Sequence, residues 1–127
     1  MNGVVVHAQY ESTRPVLALA RELNHVFLNL LDNAVRAGAS NIWIQLDDSH
    51  EHVELSISDD GPGIPPESAE LIFEPFFTTR AIGQGMGLGL YLSRRIVESC
   101  GGRLQYRPRD AGGAEFLVEL PSGGMTV

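Results

Sequence analysis

Four short motifs follow one another along the chain, and their order and spacing constrain its fold more than any other feature. They are NLLDNA at residues 29–34, DDGPG at residues 59–63, FEPFF at residues 73–77 and GMGLGL at residues 85–90. The first lies in a segment with helical periodicity, the second follows alternating strand patterns, and the fourth leads into a second helical segment. This succession predicts an α/β domain whose loops converge on one site.

The composition is that of one globular domain. The chain has 127 residues, of which 43% are hydrophobic, enough to form a core. We expect no transmembrane helix and no signal peptide, because the apolar runs are short and none follows a basic segment. The single cysteine, Cys100, leaves no internal disulfide and suits a reducing compartment. The net charge of -7 argues against a nucleic-acid partner, which needs a basic face.

The spacing of apolar residues predicts the order of the secondary-structure elements. Strands are expected at residues 4–6, 15–19, 41–46, 53–57, 103–106 and 114–120. Helices are expected at residues 21–37 and 87–99, with one or two helical turns at 68–73. The connections are a hairpin turn at residues 47–52, a glycine- and proline-rich loop at 59–66, a mobile lid at 74–86 and a loose tail at 122–127.

These elements predict a single domain over residues 1–127. Its fold class is α/β, a two-layer sandwich with a mixed sheet and helices on one face. Gly38 is expected to end the first helix, and Gly101 and Gly102 the second. The apolar face of the second helix is expected to hold Leu88, Leu92, Ile96 and Val97.

Asn29 and Asn33 lie four residues apart and therefore project from one face of the first helix. That face also holds core positions such as Val26 and Leu30, and a buried amide costs free energy unless it finds polar partners. A hydrated magnesium ion with phosphates would supply them, since this hard ion prefers oxygen ligands. A solvated or internally satisfied asparagine pair explains the helix alone equally well. Arg36 could contact a phosphate or could be an ordinary surface arginine.

Asp59 follows an alternating strand and precedes Gly61 and Gly63. An aspartate before such a turn most often hydrogen-bonds its own backbone. In a functional role it would accept a hydrogen bond from an exocyclic amine, which selects adenine, because guanine carries a carbonyl at that position. The glycines would let the backbone approach a flat ring closely. Asp60 competes for this role, and the spacing Asp-x-Gly-x-Gly favours Asp59.

Gly85, Gly87 and Gly89 lead directly into the second helix. The start of a helix presents free amides and the positive end of a dipole, which attract anions, and glycines leave room for a phosphate. A flexible linker beside a helix cap would have the same composition. The run is not a dinucleotide-binding turn, because no hydrophobic parallel strand leads into it. It is not a P-loop either, because no Lys-Ser/Thr pair follows.

The aromatic motif at residues 73–77 can anchor the lid to the core. Thr78, Thr79 and Arg80 follow it immediately and place two hydroxyls and a cation on the lid. An incoming γ-phosphate could order these groups. Arg80 would then stabilise charge on the phosphoryl group during its transfer.

In this order, the four motifs resemble the N, G1, F and G2 boxes of the catalytic and ATP-binding domain of bacterial two-component sensor histidine kinases. That domain belongs to the superfamily of gyrase, a heat-shock chaperone, histidine kinases and the MutL mismatch-repair proteins. The resemblance covers residues 23–120. It implies the Bergerat ATP-binding fold, in which a mixed, mostly antiparallel sheet carries helices on one face and a flexible ATP lid. It also implies ATP and Mg²⁺ as cofactors.

The resemblance implies a role for each motif residue. Asn33 would coordinate magnesium, and Asn29 would assist at the metal or the phosphates. Arg36 would contact a phosphate, and Asp59 would bind the adenine amine. The other positions that the resemblance implies in nucleotide binding are Gly61, Gly63, Ile64, Thr78, Thr79, Arg80, Gly85, Gly87, Leu88 and Gly89.

Asn29 and Arg80 would be the catalytic residues. Gyrase-like and chaperone-like ATPases place a glutamate at the position of Asn29, as the general base for water. An asparagine cannot take a proton, so hydrolysis should be slow. The γ-phosphate would be kept for a histidine on a separate dimerisation helix, and Phe76 and Phe77 would help couple the lid to that helical domain.

No histidine of this chain has the usual setting of the phosphoacceptor, which is followed by an acidic residue with a proline four positions beyond. The histidines are His7, His25, His50 and His52. The phosphoacceptor is therefore expected on a dimerisation and histidine-phosphotransfer domain of the same full-length kinase, which would serve a cognate response regulator. We expect a cytoplasmic location, either free or as part of a membrane-bound sensor, no direct membrane contact and a monomeric isolated domain.

Two alternatives stay open. One is a protein-serine kinase of the anti-sigma type, which shares the fold but usually lacks the aromatic box. The other is a non-catalytic nucleotide-binding module. Ala37 and Ala114 keep it open, because relatives often have an aromatic residue and a threonine there that contact the base. We expect a dissociation constant for ATP in the micromolar range or weaker, about -8 kcal/mol or less favourable.

Overall fold

The structure, a computed structural model, describes residues 3–12, 21–48, 52–77 and 88–121. No helix in these ranges is long and apolar enough to cross a membrane. The elements are β1 (Val5–Ser12), α1 (Arg21–Arg36), β2 (Asn41–Asp48), β3 (His52–Asp59), a 3-10 turn (Pro66–Ser68), α2 (Gly89–Ser99), β4 (Arg103–Pro108) and β5 (Ala114–Pro121).

The five strands form one mixed sheet in the order β1-β2-β3-β5-β4. β1 pairs with β2 in parallel, with Val5 opposite Asn41. The pairs β2–β3, β3–β5 and β4–β5 are antiparallel. This order places the end of β3 beside the start of β5, so the loop after β3 and the turn between β4 and β5 lie at the same end of the sheet.

The helices pack against each other and against the sheet, α1 on β3 and α2 on β4. α1 contributes Val26, Leu30 and Ala34 to the core, spaced as one face of a helix. The strands supply the opposite layer, which contains Ile42, Leu55, Ile57, Leu104, Phe116, Val118 and Leu120. The predicted two-layer α/β sandwich, with a mixed sheet and helices on one face, is confirmed.

Both helices end in the same way, at the glycines that the sequence predicts. Gly38 and Gly101 have φ angles of 87° and 81°. In α1 the N–H of Ala39 bonds the carbonyl oxygen of Ala34 at 3.3 Å, and in α2 the N–H of Gly102 bonds that of Val97 at 3.0 Å. These are Schellman caps, which need a left-handed residue at the turn.

The prediction was wrong in several details. β1 runs over Val5–Ser12 instead of residues 4–6, because it pairs along its whole length with β2. The helical turns expected at 68–73 are instead a 3-10 turn at Pro66–Ser68 followed by single turns. α2 begins at Gly89 rather than residue 87. The strand expected at 15–19 and the tail at 122–127 lie outside the described residues.

Candidate functional site

Asp59 is the last residue of β3 and lies at the centre of the candidate site. It is only 2% exposed, and its Oδ1 accepts a hydrogen bond of 2.9 Å from the backbone N–H of Gly61. Burial is the largest influence on this carboxyl group and raises its pKa, against the opposing effect of the backbone N–H groups of Gly61 and Ala114. A carboxylate in so dry a place costs stability, which favours a role in recognition over one in folding.

The neighbouring Asp60 has the opposite environment. It is exposed, and its carboxylate accepts hydrogen bonds from the backbone N–H groups of Ser40 and Asn41 at 2.8 and 2.9 Å. The side-chain amide of Asn41 donates a third at 3.0 Å and is the main reason that the pKa of Asp60 is lowered. Asp60 therefore ties the loop after β3 to the start of β2, which leaves Asp59 as the better candidate for ligand recognition.

Glycines let three backbone segments meet around Asp59. A Cβ on Gly61 would lie 3.0 Å from Asp59 Oδ1 and 3.4 Å from the carbonyl oxygen of Ala37, at the end of α1. Gly113, in the β4–β5 turn, has a φ of +107°, and a Cβ there would lie 1.9 Å from the carbonyl oxygen of Asp59. Gly63 has a φ of +77°, and a Cβ on it would lie 3.2 Å from the carbonyl oxygen of Gly113. Side chains at these positions would push the segments apart.

Three further residues border this end of the site. Ile64 packs against the core, and Ala114 is buried in β5. Ala37 is exposed beside Gly61. Positions 37 and 114 therefore both carry the small side chain of alanine at this end of the site.

Asn29 joins α1 to the start of α2. Its Nδ2 donates a hydrogen bond of 3.2 Å to the hydroxyl oxygen of Ser93, which is completely buried. Its Oδ1 faces Gly89, since a Cβ on that glycine would lie 3.9 Å from it. The internal partner that the sequence left open for Asn29 therefore exists, and it fixes the amide so that the oxygen lies beside the N-terminus of α2.

Asn33 and Arg36 continue the same face of α1 towards its C-terminus. Asn33 is half-buried, as expected of a residue between the core and solvent. Arg36 is exposed and its Nε donates to Asp32 at 2.8 Å, an i,i+4 ion pair whose contribution to stability is small at a surface. A phosphate near this end of α1 would compete with Asp32 for the guanidinium.

The aromatic motif is anchored at both ends and exposed in the middle. Phe73 packs edge-on against Phe116, with ring centroids 6.3 Å apart, and the guanidinium of Arg94 lies 4.8 Å from its ring. Phe77 packs against the core. Phe76 is 67% exposed and has a φ of 68°, a strained conformation for a bulky side chain. The motif therefore presents one aromatic ring to solvent.

The structure describes only part of the predicted lid. Leu88 caps the N-terminus of α2, and its carbonyl oxygen accepts from the N–H of Leu92 at 2.8 Å. The predicted site residues Thr78, Thr79, Arg80, Gly85 and Gly87 lie outside the described residues.

Two residues of the site were missed by the sequence analysis. Ser93 occupies a buried position on α2, whereas Leu92, predicted for the apolar face, is 47% exposed. Ser93 can take the buried position because its hydroxyl has a hydrogen-bond partner in Asn29, and a buried hydroxyl is tolerated when it has a partner. Gly113 could have been suspected from the Gly-Gly pair in the turn, but its contact with Asp59 depends on the strand order.

Comparison with known proteins identifies the family of the chain. Residues 18–124 match the model of a family described as histidine kinase-, DNA gyrase B- and HSP90-like ATPases. The chain belongs to this family. It is 41% identical over 104 residues to the sensor protein kinase PilS of Pseudomonas aeruginosa. This match covers 76% of this chain and 19% of PilS. It is 40% identical over 101 residues to the sensor histidine kinase ZraS of Escherichia coli O157:H7, covering 78% and 22%.

Solved structures place the chain in the histidine kinase branch of the family. The catalytic domain of the histidine kinase ThkA superposes with a TM-score of 0.76 at 34% identity, covering 92% of this chain and 80% of that one. Full-length ShkA in complex with AMPPNP gives a TM-score of 0.79 at 31% identity, covering 94% and 26%. The resemblance to histidine kinase catalytic domains is thus confirmed. The chain spans about a fifth of the length of PilS and ZraS.

Proposed function

We propose that this domain binds Mg-ATP between α1, the loop after β3 and the start of α2, and transfers the γ-phosphate to a histidine of a separate dimerisation and phosphoacceptor domain. The observation that carries the proposal is the buried carboxyl group of Asp59. It lies where Gly61 and Gly113 bring backbone segments close together, with no room for a Cβ on Gly113. The family to which the chain belongs and its histidine kinase relatives support the same assignment.

Asp59 would recognise adenine through its exocyclic amine. Its Oδ1 is held by the N–H of Gly61, so the carboxylate is oriented before a ligand arrives. An ionised acceptor bonds an amine about twice as strongly as a neutral one. The same site rejects guanine, because a carbonyl oxygen at that position would meet the carboxylate without a proton between them.

Asn29 and Asn33 would bind the phosphates and the metal at the other end of the site, between α1 and the N-terminus of α2, which we call the phosphate end. The amide nitrogen of Asn29 is engaged by Ser93, so the oxygen, the atom that a hard cation prefers, faces the N-terminus of α2. A magnesium ion held here by Asn33, with Asn29 assisting, would neutralise phosphate charge. Arg36 would contact a phosphate from the end of α1, and Leu88 and Gly89 would border it from α2, where backbone N–H groups and the helix dipole favour anions.

The lid residues would complete this end. Thr78, Thr79 and Arg80 would approach the γ-phosphate, and Gly85 and Gly87 would give the lid the freedom to close. Arg80 would stabilise the charge that develops during phosphoryl transfer.

Transfer to a histidine, rather than to water, follows from the chemistry of Asn29. An amide does not act as a general base, and Ser93 already accepts a hydrogen bond from its nitrogen. Phe76, which is exposed and has a left-handed φ, would be the contact to the phosphoacceptor domain. That domain would lie elsewhere in the same full-length kinase, as the larger size of PilS and ZraS suggests.

The test is a transfer assay with γ-labelled ATP, magnesium and the dimerisation and phosphoacceptor domain supplied as a separate protein. We expect label on that domain that is labile in acid and stable in alkali, as phosphohistidine is. Phe76→Ala should reduce transfer while ATP binding is unchanged, because the ring is 67% exposed to solvent. Leu71→Ala, at another exposed apolar position, is the matched control.

Three results would overturn the proposal in different ways. Acid-stable phosphoserine on a protein substrate would indicate a serine kinase of the anti-sigma type. ATP binding without transfer to any phosphoacceptor would indicate a non-catalytic module. Rapid release of inorganic phosphate without a partner would contradict the role given to Asn29.

A further inference from the structure

Arg109 occupies a position in the β4–β5 turn that the proposed function does not use. Its guanidinium carbon lies 4.1 Å from the centre of the Trp43 ring, and its NH1 donates to the carbonyl oxygen of Gly112 at 3.0 Å. The ring of His7 stacks on Trp43, with centroids 5.4 Å apart and an interplanar angle of 13°. A half-buried arginine is thus held between an aromatic face on β2 and the backbone of its own turn.

This turn is the one that lies against Asp59. Gly113 approaches the carbonyl oxygen of Asp59 so closely that no Cβ fits between them. The turn is closed by two backbone hydrogen bonds, from Arg109 N–H to the carbonyl oxygen of Gly113 at 3.2 Å and from Gly112 N–H to the carbonyl oxygen of Arg109 at 2.9 Å. A restraint on Arg109 is therefore a restraint on the backbone beside the buried carboxyl group.

The charges around Asp59 give Arg109 a second effect. The negative charge of Asp60, the next residue in the chain, raises the pKa of Asp59, and the positive charge of Arg109 in the β4–β5 turn lowers it. Both effects are weaker than those of burial and of the backbone N–H groups. On β5, Glu115 is engaged by Arg107 and Ser58. At the end of α1, the residue beside Gly61 is the uncharged Ala37. Among these neighbours, Arg109 is the group that favours the ionised form through its charge.

We propose that Arg109 is a positioning residue for nucleotide recognition: stacked on Trp43, it holds the β4–β5 turn against Asp59, the residue that would accept the adenine amine. The inference rests on the proposed function, since it concerns the same site. It assigns to Trp43, which lies outside the four motifs, an indirect part in binding.

The test measures Mg-ATP affinity by titration calorimetry between about pH 5 and pH 8 for the wild type and three variants. Arg109→Gln removes the charge, and we expect affinity at pH 8 to fall about fivefold. This factor corresponds to the free energy of one partly exposed cation–π contact. The pH below which binding weakens should also move upward. Arg109→Lys should restore that pH profile, because it restores the charge. Trp43→Leu should shift affinity in the same direction by a smaller factor.

The control is Arg103→Gln, at the opposite end of β4, which should leave both affinity and pH profile unchanged. Ionisation of the nucleotide phosphates is common to all variants and cancels in the comparison, and circular dichroism verifies that each is folded. The inference is overturned if Arg109→Gln retains wild-type affinity, or if its affinity falls while the pH profile stays that of the wild type. If the wild type itself does not bind ATP, the proposed function fails instead.

Discussion

The two ends of the site are built differently. Around Asp59, three backbone segments meet with no room for a Cβ on Gly113 and little on Gly61 or Gly63. Around Asn29, a side-chain hydrogen bond to Ser93 joins α1 to α2, and a Cβ on Gly89 would make only ordinary van der Waals contact with Asn29. The base end is therefore specified by backbone packing and the phosphate end by a few polar side chains. Adding a side chain to the packed glycines at the first end should therefore damage folding, whereas removing a polar group at the second end should mainly weaken ligand binding.

Gly113→Ala should have the largest effect on stability. The new Cβ would lie 1.9 Å from the carbonyl oxygen of Asp59 at a φ of +107°, so overpacking adds to backbone strain. We expect a loss of about 4 kcal/mol in the free energy of unfolding, measured by urea denaturation. Gly112→Ala is the matched control: its φ is +98° but nothing lies within 4 Å, so it should cost about 1 kcal/mol. Equal losses would show that the close packing at the base end is not required.

Ser93→Ala should have a smaller effect on folding and a clear one on binding. Asn29 is half-buried and can exchange its lost partner for water, so we expect a loss of about 1 kcal/mol in stability. The freed amide should lower Mg-ATP affinity about fivefold, because its oxygen is no longer oriented. Ser99→Ala, whose hydroxyl donates to the Ile96 carbonyl oxygen on an exposed turn, should change neither. Wild-type affinity in Ser93→Ala would contradict the idea that this hydrogen bond orients Asn29 for ligand binding.

The smallest effect concerns the pH dependence of stability. Burial raises the pKa of Asp59 in the folded protein above the ordinary value of 3.8. The folded state therefore binds the proton more tightly than the unfolded state, and this group's contribution to stability declines as pH rises from about that value through the raised pKa. The side chain of Asn does not titrate, so the stability of the wild type relative to Asp59→Asn should decline over the same range. A difference that grows in the wild type's favour would contradict the sign.

Much of this architecture is visible in the sequence because it depends on local patterns. The apolar spacing around Leu30 defines α1, and Gly38 ends it at the expected residue, since a left-handed cap needs glycine. The alternating patterns of β2 and β3 predict their hairpin. The spacing Asp-x-Gly-x-Gly also favours Asp59 over Asp60 as the site residue, which stays a prediction; Asp60 itself hydrogen-bonds Asn41.

What the sequence did not predict depends on contacts between distant residues. Leu92 and Ser93 have reversed burial from that expected of their side chains, because Ser93 meets Asn29 from another helix. The approach of Gly113 to Asp59 and the stacking of Arg109 on Trp43 require the strand order that places β5 beside β3. Such contacts leave no periodicity in the sequence, so pattern analysis does not detect them.

Calorimetric titration of Mg-ATP into the wild-type domain and Asp59→Asn tests the central claim most directly. The buried carboxylate should give the wild type a measurable heat of binding. The amide of the variant presents a donor to the adenine amine and should weaken binding about 100-fold, with no loss of folding stability at pH 7. Equal affinity of the two proteins for Mg-ATP, or affinity for Mg-GTP equal to that for Mg-ATP in the wild type, would contradict the account.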